Sequence, residues 1–145
     1  MSAVRDILVK KGSGVLTTGK DSTVLEAAIL MNEHKVGALV VLEAGRIAGM
    51  FTERDVLRRV VGEVRDPAHT TVSEVMTAEV VCCRPETSLD EARGSMMNRR
   101  IRHLPVVDDQ ENMVGLISIG DLNAHDRTSH EQTIYLLEEY VYGRV

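Results

Sequence analysis

Gly49-Met50-Phe51-Thr52-Glu53-Arg54-Asp55 decides the reading of this chain, because Gly115-Leu116-Ile117-Ser118-Ile119-Gly120-Asp121 says it a second time. Each copy sets a glycine, two apolar residues, a hydroxyl residue, two spacers and an aspartate in a row, with an apolar residue next (Val56, Leu122). A glycine followed by two apolar residues suits the end of a strand. A hydroxyl three residues ahead of an acid is the signature of a capped helix N-terminus. The oxygen of Thr52 or Ser118 would accept a backbone N–H in the first helical turn. For one copy, capping is a sufficient account. Two copies at matching positions of a repeat ask for a further reason.

Working outward, the surroundings of the motif repeat as well. Val15-Leu16-Thr17 returns as Val80-Val81-Cys82, Ser22-Thr23-Val24-Leu25-Glu26-Ala27 as Thr87-Ser88-Leu89-Asp90-Glu91-Ala92, and Leu39-Val40-Val41-Leu42 as Leu104-Pro105-Val106-Val107. The offset is 65 residues up to the hairpin and 66 after it, which places one extra residue in a turn, where insertion is tolerated. In the first copy, apolar residues at 24, 27, 28 and 31 predict an amphipathic helix to about His34, capped by Asp21, Ser22 or Thr23. Ala38 to Leu42 reads as a strand buried on both faces, Glu43-Ala44-Gly45 as a tight turn, and Arg46 to Phe51 as the returning strand. From Thr52 a second helix runs through Val56, Leu57 and Val60 to about Gly62. The unit is strand, helix, strand, strand, helix. One such unit is too small to bury its own sheet face, so two should pack as a pseudo-symmetric pair.

The predicted fold class is therefore α+β, with two β-α-β-β-α repeats over residues 15–63 and 80–126. Residues 1–14 form an extra helix with apolar positions at 4, 7 and 8, stopped by Lys10-Lys11-Gly12-Ser13-Gly14. Residues 64–79 are a linker carrying Pro67 and a short helical turn at Val72 to Met76. Residues 127–145 are a separate tail helix, capped by Thr128-Ser129, with Ile134, Leu137 and Val141 on one stripe and Gly143 closing it.

Composition limits the function. The 145 residues suffice for a core that buries about 70% of the unfolded surface. That core must be aliphatic, since the chain has no Trp and one Phe. A net charge of −5 speaks against nucleic-acid binding, which rests on a broad basic surface. The two cysteines, Cys82 and Cys83, are adjacent, which suits neither a disulfide framework nor a zinc site and fits a reducing, cytoplasmic setting. The longest apolar run, Ala38 to Leu42, is too short to span a bilayer, and the N-terminus lacks an apolar signal core.

With both repeats in view, the chain resembles a stand-alone pair of cystathionine-beta-synthase (CBS) domains, the arrangement called a Bateman module. Gly49 to Asp55, Gly115 to Asp121, the strand Arg102-His103-Leu104-Pro105-Val106-Val107-Asp108 and the connector Val72-Ser73-Glu74-Val75-Met76-Thr77 carry the likeness, over about Val15 to Ala124. The resemblance implies an adenosine-ligand sensor with two clefts between its repeats. The motif aspartates, Asp55 and Asp121, would accept hydrogen bonds from ribose hydroxyls, as an acidic residue does in dinucleotide folds. Thr52 and Ser118, with Ile119 beside it, would reach a phosphate or ribose oxygen at a helix N-terminus. Arg102 and His103 occupy the family's phosphate position. Their first-repeat counterparts, Gly37 and Ala38, are uncharged and suit close approach of a ring, so the clefts cannot be equivalent. The first strands add Thr17 and Lys20 on one side and Cys82 and Arg84 on the other, Lys20 and Arg84 reading equally as solvated turn residues, and Arg54 would reach a second phosphate or pair with Glu53 or Asp55 on the surface. Arg99 and Arg100, in the same basic run, read equally as phosphate contacts or as a solvated helix end complementing the dipole.

The implied ligand is an adenine nucleotide, AMP first, with ADP, ATP or NAD(H) as alternatives; the basic pair favours phosphate over the sulfonium of S-adenosylmethionine. The resemblance also implies a homodimer and a regulated partner protein not identifiable from the sequence. His103 with Cys82 or Cys83 would be a base and nucleophile only if a third residue oriented them, and none is spaced to do so, so neither catalytic nor metal-ligating residues are expected. A scaffold that dimerises or docks through Tyr135, Tyr140 and Tyr142 without binding nucleotide is the alternative.

Overall fold

A computed structural model describes residues 2–12 and 14–142. Gly143 and the tail's tyrosine side chains, Tyr135, Tyr140 and Tyr142, lie outside the described part. The order is α1 (Val4–Lys11), β1 (Thr17–Gly19), α2 (Val24–His34), β2 (Ala38–Glu43), β3 (Arg46–Thr52), α3 (Glu53–Asp55, continuing as a π-helical stretch over Val56–Val61), a 3₁₀ turn at Pro67–His69, α4 (Val72–Val75), α5 (Leu89–Arg99), β4 (His103–Val107), β5 (Met113–Ser118) and α6 (Ile119–Tyr142). This is the α+β pair of repeats expected, with three local differences.

The first concerns the leading strands. β1 pairs in parallel with β2 from Thr17↔Val40 to Gly19↔Leu42, two residues later than the apolar run suggests. In the second repeat Val80 to Cys82 is not a strand, and a single parallel bridge, Cys83↔Val106, stands in for one. Burial wins over pairing here. Val15 and Val80 turn into the seam between repeats, while Leu16 and Val81 pack on the first and second cores. The second difference is the π-helical stretch after Asp55, where the Gly62 N–H donates to the Leu57 carbonyl at 2.9 Å, five residues back. The third is the tail. No Pro and no further Gly lie between Asp121 and Tyr142, so α6 runs on for 24 residues through the position where a new helix was expected to begin. Thr128 does not cap; its hydroxyl donates to the Ala124 carbonyl at 3.1 Å, as a threonine inside a helix does.

The repeats match in detail. Thr23 and Ser88 cap α2 and α5, each accepting from a glutamate N–H (Glu26, Glu91) at 3.1 Å. Lys35 (φ 54°) and Arg100 (φ 55°) close the same helices in the left-handed region. The Glu53 N–H donates to the Gly37 carbonyl at 3.0 Å, and the Ile119 N–H to the Arg102 carbonyl at 2.9 Å.

Helix α1 belongs to this symmetry too, although the sequence sets it apart as an extra element. Ala3 bridges Ser88 and Thr71 bridges Thr23. The Val4 and Arg5 N–H groups donate to the Thr87 and Pro85 carbonyls (2.9 and 3.0 Å); those of Val72 and Ser73 donate to Ser22 and Lys20 (2.8 and 3.1 Å). Val4 and Ile7 enter the second core with Leu104, Val106, Ile117 and Leu122, while Val72 and Val75 enter the first with Leu39, Val41 and Phe51. Each repeat is thus completed by the short helix that precedes the other. A third cluster, Ala38, Val40 and Met50 against Val80, Met113 and Leu116, forms the seam.

Close packing against these short helices explains the motif glycines. A Cβ on Gly49 would lie 2.7 Å from both the Thr77 carbonyl oxygen and the Met76 sulfur; one on Gly115 would lie 2.6 Å from Leu8 Cδ2. The Thr77 carbonyl is fixed by its exchange of hydrogen bonds with Met50 (both 2.9 Å), whereas the Leu8 tip can rotate. Gly49→Ala should therefore cost about 1–3 kcal/mol and Gly115→Ala less. Urea denaturation checks this as a larger drop in midpoint for Gly49→Ala at unchanged slope.

Candidate functional site

The strongest candidate is a cavity of about 520 Å³ at the seam. Gly37 before β2, Met50 and Thr52 to Asp55 at the end of β3 and start of α3, Thr77 and Glu79 to Val81 of the connector, and Arg99 to His103 from the end of α5 to the start of β4 wall it from both repeats. Asp55 sits there at 5% exposure. Its Oδ2 accepts from the Thr52 N–H (3.0 Å) and hydroxyl (3.2 Å), and Oδ1 accepts a longer bond from the Thr77 hydroxyl (3.4 Å), with Arg59 Nε at 3.8 Å. The Asp55 N–H in turn donates to Thr52 Oγ1 at 3.4 Å. Capping and cavity lining thus coincide in one residue, because the first turn of α3 opens directly onto the crevice.

The lining is also rich in arginine. Arg54, Arg99, Arg100 and Arg102 all line the cavity, and among the described residues none of the four is in an ion pair. Arg54 Nη1 donates to the Arg100 carbonyl at 3.1 Å, tying the two repeats across the mouth. Glu53 and Glu79 are also in the lining, so four guanidiniums face three carboxylates. Gly37 leaves room for Glu53: a Cβ there would lie 3.1 Å from its carboxyl carbon. His103 is half-buried in the same lining. Burial pushes its pKa down, the Lys11 ammonium adds to this, and Asp121 opposes it.

Of the residues singled out by sequence, Gly37, Thr52, Arg54, Asp55, Arg102 and His103 come together here. The others do not line this cavity. Thr17 is held in β1, and Ala38 is buried in the seam. Lys20 pairs with Glu43 at 2.7 Å over a separate open depression, and the pairing raises its pKa. Arg84 binds the Asp108 carbonyl (2.6 Å) and Glu111 (2.9 Å), locking the β4–β5 turn. Both of these cations are engaged at hairpin tips. Cys82 is exposed and Cys83 buried. Burial raises the Cys82 thiol's pKa, with help from Glu111, and pushes that of Cys83 up to about 12, so neither is a thiolate at neutral pH.

Ser118, Ile119 and Asp121 stand at the corresponding place in the second repeat. The Ser118 N–H donates to Asp121 Oδ2 at 2.8 Å, and the Asp121 N–H to Ser118 Oγ at 3.1 Å. Lys11 Nζ approaches the same Oδ2 at 2.7 Å and donates to the Leu116 carbonyl at 2.9 Å. Burial alone would raise the Asp121 pKa, but the Lys11 ammonium and the Ser118 N–H outweigh it and hold the carboxyl below its usual range.

Sequence reasoning missed the connector as a cavity wall, because Val80 and Val81 read as strand. It left Arg99 and Arg100 between a phosphate contact and a solvated helix end. The left-handed turn at Arg100, which brings both into the lining, has no glycine to announce it. Among the described residues no group of three or more His, Cys, Asp or Glu is placed to hold a metal ion, and no helix is long and apolar enough to cross a membrane.

Comparison with known proteins gives two matches to the CBS domain model, over residues 4–62 and 72–126. The chain is 43% identical over 122 residues to the CBS domain-containing protein YhcV of Bacillus subtilis, covering 84% of each. It superposes on the crystal structure of the CBS-domain containing protein ATU1752 from Agrobacterium tumefaciens with a TM-score of 0.82 at 38% identity, covering 86% of this chain and 99% of that one. The CBS domain pair of MJ0100, solved in complex with 5′-methylthioadenosine and S-adenosyl-L-methionine, shares the fold at a TM-score of 0.78 and 23% identity, over 89% of this chain and 98% of that one.

The electrostatics of His103 give a test. Its folded pKa lies below the ordinary 6.5, so the unfolded chain takes up the proton more readily. Stability from this group is complete above about pH 6.5 and is lost as pH falls from there toward the lower folded value. The His103 imidazole should titrate below 6.5 by NMR. His103→Gln should flatten the fall in urea midpoint between pH 7.5 and 5.

Proposed function

The chain belongs to the CBS-domain family, and from that membership we propose that it is a regulatory module taking an adenine nucleotide, AMP or a close relative, into the cavity beside Asp55. CBS pairs are in general regulatory ligand-binding modules. One observation supports the finer reading above the rest: a single cavity is lined both by a buried carboxylate and by four arginines outside any described ion pair. A nucleoside phosphate has the complementary layout, with hydroxyl donors on its sugar and anionic oxygens beyond. The volume of about 520 Å³ falls in the range of small-ligand pockets. Asp55 Oδ1, held only by the 3.4 Å bond from Thr77 and the distant Arg59, is the oxygen a ribose hydroxyl would engage. MJ0100 is described with adenosine-derived ligands, one of them a sulfonium. The guanidiniums of this chain would repel a sulfonium and attract phosphate.

Because both repeats wall the cavity, a ligand there would bias their relative placement, and its unequal affinity for two arrangements would be the signal. A homodimer in a reducing, cytoplasmic compartment completes the proposal. The exposed apolar residues Leu57 and Val61 beside the π-helical stretch, and the free neighbouring thiols, are consistent with it. The recipient of the signal would be a separate regulated protein, and no chemistry on the nucleotide is part of this reading.

Calorimetry with AMP, ADP, ATP, NAD(H) and S-adenosylmethionine tests the proposal. AMP should bind below a millimolar and S-adenosylmethionine more weakly. Asp55→Asn should weaken AMP about 10- to 100-fold, roughly 1.5–3 kcal/mol, and Arg102→Ala should weaken AMP while leaving adenosine unaffected. A thermal melt accompanies each variant, since Asp55 also caps α3 and its loss costs about 1 kcal/mol of stability. Absence of binding by every nucleotide below about a millimolar would overturn the proposal in favour of a scaffold.

A further inference from the structure

The two motif aspartates differ in what already holds them, and the cause is one turn of helix. Helices α1 and α4 begin at equivalent places, with Val4 and Val72 donating to Thr87 and Ser22, yet α4 stops at Val75 while α1 continues to Lys11. After α4 the chain becomes extended at Met76 (ψ 161°), pairs with Met50 and lines the open cavity through Thr77 to Val81. The additional turn of α1 instead crosses β5. Leu8 packs on Gly115, and Lys11 reaches Leu116 and Asp121. Asp55 Oδ1 receives a weak 3.4 Å bond from a neutral threonine and has its nearest cation, Arg59 Nε, at 3.8 Å, whereas Asp121 receives an ammonium at full hydrogen-bond distance, 2.7 Å.

We propose that Lys11 is a built-in latch: it occupies the carboxylate of the second nucleotide cleft, so that this cleft stays latent while the Asp55 cavity is available, and takes an adenine nucleotide only when Lys11 lets go. The inference rests on the reading of the motif aspartates as ribose-binding groups. The ammonium satisfies the acid that a ribose would need, and a ligand must displace it. Its apparent affinity is lowered by the fraction of time the latch is closed. The contact is poised for release. The lysine and aspartate side chains are 37% and 24% exposed, so the pair is a moderate one rather than a permanent buried bridge. Both strong anchors of α1, its N-terminal bonds to Thr87 and Pro85 and the burial of Val4 and Ile7, lie a turn or more before Lys11. The last turn can therefore fray while the helix remains docked.

Equilibrium dialysis with AMP on the whole chain decides, comparing wild type with Lys11→Ala and Lys11→Gln, each checked by thermal melt. The expected result is one site per chain in wild type and a second site in both variants, bound at least about threefold more tightly than any second site of wild type. Adding Asp121→Asn to Lys11→Ala should remove the gained site and leave the first untouched. If the variants bind one nucleotide like wild type, or two sites of unchanged affinity are present throughout, the latch is overturned and the Asp55 reading stands. Weaker second-site binding on loss of Lys11 would also overturn it, making the lysine a ligand contact. Absence of AMP binding in every protein would overturn the latch together with the nucleotide reading.

Discussion

The structure depends on an exchange. Each repeat lacks one wall of its own core, and the short helix leading into the other repeat supplies it: Val4 and Ile7 for the second, Val72 and Val75 for the first. A unit of about fifty residues buries too little apolar surface to stand by itself. Exchanging helices lets each half borrow what it lacks, and it makes separation costly, because pulling the halves apart would open both cores as well as the seam. The backbone bonds from Val4, Arg5, Val72 and Ser73 fix the register of that exchange. The motif glycines follow from it, since only a residue without a Cβ lets β3 and β5 meet the borrowed segments so closely.

The same exchange places the site. A helix that opens at a seam has its first turn, its capping acid and its unpaired amides beside the partner repeat, so the Asp55 motif faces a crevice walled by both halves. A cavity made in this way responds to the placement of the halves. Symmetry would give two equal crevices, but the connector and α1 are not equal in length. The connector leaves its helix early and becomes cavity wall, while α1 keeps its helical form and brings a cation to the acid. The difference in charge at the α5–β4 corner, Arg100-Arg102-His103 against Lys35-Gly37-Ala38, points the same way.

Much of this was legible in the sequence because it is written twice. The offset of 65 and 66 residues, the paired caps Thr23 and Ser88, and the buried run at Ala38 to Leu42 determine the repeat, its helices and its central hairpins without tertiary information. What escaped was set by contacts far apart in the chain. Val80 and Val81 have a strand's composition, yet the seam and the second core claim them before a ladder can form. Lys20 and Arg84 stay open between cleft residues and solvated turn residues until the hairpin tips present Glu43 and Glu111. Nothing local marks Lys11 as the partner of a residue 110 positions away, and the equivalence of α1 with the connector is hidden because the two share position rather than sequence.

Capping and the proposed binding would not compete for Asp55, and the reason lies in its two oxygens. Oδ2 is committed to Thr52 and so to the start of α3; Oδ1 meets a long bond from Thr77 and, at 3.8 Å, the Arg59 guanidinium. A carboxylate 5% exposed cannot be left without partners, since an unpaired buried charge costs several kcal/mol. The helix therefore satisfies the acid in the absence of ligand with one oxygen, while the other remains exchangeable. Removing the Thr77 bond would cost little, and replacing it with a ribose hydroxyl would leave the cap untouched. An acid whose structural duty is discharged by one oxygen can accept a ligand on the other without unfolding the turn that presents it. Thr77 belongs to the segment that bonds β3 through Met50 and leads into the second repeat, so under the proposed reading a ligand that took its place at Asp55 would act directly on the connection between the two halves.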